Sequence, residues 1–205
     1  RGREMPNNVD RYIPPIDGLN VILTIDQVIQ HFTEKAVEDA MEKYNAKKVY
    51  AIVMDPNTGE ILAMANRPNF DPNEPPRELG YEGMQDYVKN FAAKDSMDPG
   101  STFKVITAAA ALDSGVMSLN STFNCPGYRI IEGNERIRCH KAGGHGHQNF
   151  AEAMEHSCNP AFVDMALALG KNEFYNYIEA FGFGQKTGID INGEAQGILI
   201  PREAV

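Results

Sequence analysis

The chain has 205 residues, of which 42% are hydrophobic and 23% charged, enough apolar material for a sizeable buried core. Its 28 acidic against 19 basic residues leave a net charge of −9 without a Lys/Arg stripe. That excludes a phosphate-tracking surface and argues against nucleic acid as a partner. No run approaches the roughly 20 apolar residues that cross a bilayer.

Residues 1–18, RGREMPNNVDRYIPPIDG, are polar and proline-bearing and read as a linker leading in from a preceding domain. With neither an initiator Met nor a signal-peptide pattern at the front, the chain is expected to be cut from a longer parent. The β-branched run LNVILTI (19–25) predicts a strand. Asp26 then predicts a cap for a helix reaching about Tyr44, with Ile29, Phe32, Ala36, Ala40 and Met41 on one stripe. KVYAIVMD and EILAMAN, separated by PNTG, predict an antiparallel hairpin. Residues 67–90 are proline-rich and predict a long loop holding a short helix.

A largely apolar helix follows from DPGSTFKVITAAAALDSG (98–115), closed by Gly115. Residues 123–150 are turn-rich, with one hairpin expected around EGNE (132–135). Two helices are expected at about 151–169 and 172–181. A glycine-punctuated tail runs to Val205.

The chemistry concentrates in two motifs. Ser101 stands at the first turn of the apolar helix, where free backbone N–H groups and the positive dipole end converge. Lys104 is one turn on, so both side chains share a face. Desolvation favours the neutral form of a lysine, and a neutral amine beside a hydroxyl can activate it as a nucleophile. A bland reading, with Ser101 as an N-cap and Lys104 snorkelling to water, competes with this for an isolated S-x-x-K. The second motif, Ser157-Cys158-Asn159, adds a hydroxyl for proton relay and an amide to steer a substrate backbone. Asn159 could equally cap a helix that has Pro160 at its first position.

S-x-x-K followed by S-x-N is the ordered pair of penicillin-binding proteins and serine β-lactamases. Together with MDPNTGEILAMANRPNFDPN, CHKAGGHG and FGFGQKTGIDINGE, these motifs resemble class B penicillin-binding proteins, the monofunctional DD-transpeptidases. The sporulation and septal type of Gram-positive bacteria is the nearest match. The resemblance implies an α/β (α+β) transpeptidase fold of the penicillin-binding protein/serine β-lactamase kind, a mainly antiparallel sheet flanked by helices. It implies Ser101 as the acylated nucleophile, Lys104 as general base, Ser157 as proton shuttle and Asn159 as substrate ligand. Peptidoglycan stem peptides on lipid II-derived glycan strands would be the substrates, and β-lactam antibiotics the covalent inhibitors. A polymerase of the divisome type would be the partner, and the location the outer face of the cell membrane, anchored by an N-terminal segment absent from this chain.

The family's third motif, K-T/S-G, is spelled by Lys186-Thr187-Gly188, but its FGFGQ and IDINGE flanks resemble a different family segment. Residues 19–205 are therefore expected to be the N-terminal part of the domain, with the true motif on strands beyond Val205 and the fragment alone inactive. A serine β-lactamase or β-lactam sensor, and a zinc-stabilised non-catalytic module, are the alternative functions.

All three cysteines and four of the five histidines fall between residues 125 and 158. Zinc takes Cys and His ligands tetrahedrally. The set Cys125, Cys139, His145 and Cys158 uses every thiol and the histidine framed by glycines, with His140 and His147 as substitutes. A Cys125–Cys139 disulfide with Cys158 free, or three inert thiols, are the competing readings.

Overall fold

The computed structural model describes residues 16–204, so nearly all of the expected leading linker lies outside the described residues. The chain divides after Val88 into two compact units.

The first unit is a helix against a hairpin. Helix α1 (Gln27–Tyr44) starts at Asp26, whose carboxylate accepts the backbone N–H groups of Val28 and Ile29. It ends where Asn45 enters the left-handed region (φ 47°). Strands β1 (Val49–Met54) and β2 (Ile61–Arg67) form the expected antiparallel hairpin, paired from Val49↔Arg67 inward. Its turn is built by Asp55, which accepts from the Asn57 backbone, and by Gly59 at φ 77°.

The buried line of α1 differs from the expected stripe. Thr33 and Val37 are buried, whereas Phe32 is 65% exposed and Ala36 is exposed as well. The cause is polar. The Gln30 carboxamide accepts from Met64 N–H and donates to Met64 C=O, fixing the helix rotation on the outer edge of β2. Apolar spacing alone did not anticipate that a glutamine would set the angle.

Residues 19–25 are also not a strand. They lie exposed, and their segment contacts β2 through a Thr24 hydroxyl bond to Ile61 C=O and the Asp26 N–H to Leu62 C=O. An apolar β-branched run forms a strand only with a ladder to join, and among the described residues this one has none. Helix α2 (Gly80–Val88) supplies the short helix expected in the long loop.

In the second unit, α3 (Phe91–Lys94) precedes a 3-10 turn (Gly100–Phe103) that runs into α4 (Lys104–Asp113). Strand β3 (Thr122–Cys125) pairs antiparallel with β6 (Gly146–Asn149), and β4 (Tyr128–Ile130) with β5 (Arg136–Arg138). The β4–β5 pair is the hairpin expected around residues 132–135. The β3–β6 pair spans the turn-rich stretch and was not legible from it. Helices α5 (Phe150–Glu155), α6 (Asn159–Leu169) and α7 (Lys171–Ala180) follow. The single helix expected over 151–169 is thus two, broken at Ser157. The expected mainly antiparallel sheet appears as three separate two-stranded antiparallel sheets among the described residues.

The core of this unit joins α4 to α6. Ala108, Ala110 and Ala111 let the helices approach, and Phe123, Phe150, Phe162, Met165 and Leu169 fill the space around them. Met165 is fully buried; truncating such a side chain to alanine typically removes about 2–5 kcal/mol. The helix bearing Lys104 is apolar but not wholly enclosed, since Val105 is 58% exposed. No helix among the described residues is long and apolar enough to cross a membrane.

Candidate active site and thiol cluster

The corner between α5 and α6 is set by its backbone. Asn149 and Glu152 form a reciprocal capping box that starts α5. At its other end Ser157 N–H bonds Met154 C=O and Cys158 N–H bonds Ala153 C=O, with Ser157 at φ 48°. This is a Schellman turn, in which the left-handed residue is usually glycine. A serine there carries a conformational cost of about 1 kcal/mol. Cys158, not Asn159, is the N-cap of α6, and Asn159 is its first residue.

Lys104, the first residue of α4, reaches into this corner. Its Nζ donates to Ser157 Oγ at 2.8 Å, Ser157 C=O at 2.6 Å and Asn159 Oδ1 at 2.6 Å. Asn159 in turn donates its Nδ2 to Arg138 C=O at 2.8 Å, which fixes the amide orientation. The Phe162 ring lies 5.3 Å from the Lys104 nitrogen. Burial holds the amine below its ordinary value, while ionised Cys158 and Cys139 would act the other way. Ser101 sits exposed on the 3-10 turn and meets Lys104 through the backbone, its C=O accepting Lys104 N–H. Its hydroxyl is not among the three partners of the Lys104 nitrogen. The structure therefore gathers Lys104, Ser157 and Asn159 into one bonded group, with Ser101 one turn away on the same chain segment.

Lys186-Thr187-Gly188 is built differently. Thr187 N–H and Oγ donate to Glu194 Oε1 at 2.7 and 2.5 Å, and Gly188 N–H donates to Glu194 Oε2 at 3.3 Å. Those bonds, the Thr187 hydroxyl first, hold the Glu194 carboxyl below its ordinary range. Lys186 and Thr187 are exposed.

Behind the corner lie the sulfurs. The donor atoms of Cys125, Cys139, His145 and Cys158 all fall within 4.8 Å of one another. The three thiols are unpaired and buried, so no disulfide is formed. A tetrahedral zinc with bonds of about 2.3 Å to sulfur and 2.0 Å to nitrogen has ligand–ligand edges of roughly 3.5–3.8 Å. The Cys139 Sγ to His145 Nδ1 separation is 3.4 Å, close to such an edge.

The surroundings treat Cys125 and Cys158 oppositely. Burial raises the Cys125 thiol, but the His145 and Gly127 N–H groups, with the Cys158 and Cys139 side chains, bring it down overall. Burial pushes Cys158 up to about 11, outweighing the opposite pull of the Ala161 N–H. Burial chiefly, then His156 and His140, lowers the His145 ring below its ordinary value, and the ring stacks on His156 at 4.7 Å. Gly144 permits this convergence: a Cβ there would lie 2.0 Å from Cys125 C=O. The two substitute histidines, His140 and His147, stay outside the cluster and are exposed.

Gln148 was missed by sequence reasoning. It is 2% exposed on β6, and its Oε1 accepts from His156 Nδ1 at 3.2 Å. The period-2 geometry of a strand, which turns His147 outward and Gln148 inward on β6, is the signal that could have found it.

The penicillin binding protein transpeptidase domain family matches residues 49–205, and the chain belongs to that family. Among individual relatives it is 43% identical over 208 residues to stage V sporulation protein D of Bacillus subtilis (strain 168), covering 100% of this chain and 31% of that protein. It is 31% identical over 204 residues to the peptidoglycan D,D-transpeptidase MrdA of Escherichia coli (strain K12), covering 93% and 30%. Among solved structures, penicillin binding protein 3 of Mycobacterium tuberculosis complexed with aztreonam superposes with a TM-score of 0.80 at 29% identity, covering 89% of this chain and 40% of that one. The chain thus spans about a third of the length of the curated relatives it matches.

Proposed function

We propose that this chain carries the acylating group of a serine peptidoglycan D,D-transpeptidase that β-lactams also acylate. The observation that supports it most is the half-buried Lys104 amine bonded to Ser157 and Asn159. With three acceptors the ammonium is saturated; loss of one proton leaves a lone pair on the same nitrogen, as a base toward Ser101 requires. Ser101 Oγ then attacks the carbonyl carbon of the terminal D-Ala-D-Ala bond, and its proton passes to Lys104. Ser157 hands a proton to the departing D-alanine nitrogen and regains one from the Lys104 ammonium, leaving an ester on Ser101 and a neutral Lys104. The amine of a second stem peptide attacks that ester, forms the cross-link and frees the serine. Asn159 aligns the substrate backbone, and the Ser101 N–H, at the start of the helical segment, supplies one oxyanion donor.

Lys186-Thr187-Gly188 takes no part in this reading, which the commitment of the Thr187 hydroxyl to Glu194 supports. The reading also carries an extracytoplasmic location, membrane anchoring outside this chain and a divisome-type glycan polymerase as partner. Covalent labelling by a fluorescent penicillin in the full-length protein tests it. Labelling is expected in the parent and none in Ser101→Ala; labelling that survives that change overturns the reading. Slow release of penicilloate would mark a hydrolase instead.

The thiol cluster is proposed to hold a structural zinc through Cys125, Cys139, His145 and Cys158. Besides the spacing, one orphaned atom supports the fit: the buried Gln148 Nε2 has no partner, and an ionised Cys158 sulfur would accept from it. The metal, when bound, supplies rigidity behind Ser157 and Asn159. Elemental analysis of unchelated, metal-replete protein is expected to return one zinc per chain. A chelator is then expected to lower Tm, and protein free of zinc removes the proposal.

A further inference from the structure

Ser157 is held in a conformation it resists. Its φ of 48° lies where residues with a Cβ rarely settle, yet its hydroxyl must stay 2.8 Å from Lys104 Nζ. The two Schellman bonds fix the backbone path but do nothing for the side chains on either side of the serine. Those neighbours, His156 and Cys158, meet one residue.

We propose that Gln148 is a positioning residue for Ser157, its buried carboxamide bonded to His156 through Oε1 and lying against Cys158, so that both neighbours of the strained serine rest on one planar group. The inference rests on the reading of Ser157 as proton shuttle given above.

Four observations carry it. Gln148 is 2% exposed, so its amide has no recourse to water. Its Oε1 lies 3.2 Å from His156 Nδ1, which carries the shared proton because an amide oxygen only accepts. Its Nε2 is a buried donor without a partner, and a donor in that state loses on the order of 1–3 kcal/mol unless an acceptor is supplied. The side chain it meets on that side is Cys158. Gln148 is itself rigid, because β6 is laddered to β3 with Phe123 opposite Gln148, and the next residue, Asn149, is locked in the capping box of α5. The strand that holds the glutamine therefore also launches the helix that ends at Ser157. A displacement of the amide is transmitted to the serine from both flanks.

The test uses the full-length protein and a fluorescent penicillin, resolving the acylation rate at saturation from the dissociation constant of the non-covalent complex. Gln148→Leu is expected to slow acylation by roughly 10–100-fold, the range typical of supporting-shell losses, while leaving the dissociation constant within about twofold. Ser157→Ala is expected to slow it at least as much. The decisive variant is the pair: with Ser157 already alanine, Gln148→Leu is expected to add less than about twofold, because a residue acting through a hydroxyl has nothing left to position. A glutamine that merely stabilises the fold would multiply the two losses, and that outcome overturns the inference while leaving the shuttle role of Ser157 intact. Undiminished acylation by Gln148→Leu overturns it too. Undiminished acylation by Ser157→Ala alone removes the shuttle and the inference together. Should Gln148→Leu fail to fold, Gln148→Glu serves in its place. It keeps the acceptor for His156 and sets an oxygen against the sulfur, and the same non-additivity is expected.

Discussion

The second unit contains two places where a lysine and a hydroxyl occur close together in motifs, and they are built in opposite ways. At the α5–α6 corner, Lys104 comes from one element and Ser157 and Asn159 from another, and the amine bonds directly to the hydroxyl. In the Lys186-Thr187-Gly188 loop the hydroxyl donates to Glu194, seven residues on, and the lysine faces solvent. The first arrangement takes a titratable group out of water and points it at a second polar group, which is what shifts proton affinity toward chemistry. The second uses threonine and glycine as donors to tie a loop. The pairing of an amine with a hydroxyl is shared; burial and partner choice are not.

The largest effect that sharpens this contrast is expected at Lys104. Lys104→Met should reduce penicillin acylation by about 10²–10⁴-fold, the range for loss of a positioned acid or base. In the parent, acylation should rise with pH, because the neutral amine is the reactive form. Since burial lowers the amine's proton affinity, the midpoint of that rise belongs below the ordinary lysine value of about 10.4. Stopped-flow acylation across pH measures both, and a midpoint at or above that value contradicts the role given to desolvation.

Next is the conformation of Ser157. Ser157→Gly relieves the left-handed strain and should raise stability by about 1 kcal/mol, a Tm gain of roughly 2–4 °C in a domain of this size, while slowing acylation. A variant that is both more stable and fully active would separate the strain from the chemistry.

The smallest effects belong to the loop. Lys186→Ala should change acylation by less than about twofold; a large loss would put Lys186 in the site. Glu194 titrates below its ordinary value in the folded chain, so its bonds favour folding above about pH 4.3. That contribution fades as pH falls through the lower, folded-state value, and Glu194→Ala should remove this part of the acid sensitivity in thermal melts.

Much of this was legible in the sequence. The four residues of S-x-x-K and S-x-N, the β1–β2 hairpin, Asp26 as a cap and the membership of the sulfur cluster all follow from motif, turn chemistry or residue inventory. What was hidden depends on tertiary partners. The break in 151–169 needed a serine in a glycine's conformation, which propensity cannot signal. The rotation of α1 needed a glutamine to find a strand edge. Residues 19–25 satisfy every local rule for a strand, yet strands are made by neighbours. Gln148 looked like one polar residue among many until its surroundings were known.

The bonding of Gln30 to Met64 has one more consequence. By taking both main-chain groups of Met64, with Leu62 C=O already taken by Asp26 N–H, it closes the outward rim of β2 to further ladder formation. The hairpin is left with one flank, that of β2, closed to a further strand. A single carboxamide thus doubles as a rotational stop for the helix and a guard against edge-to-edge aggregation on that flank.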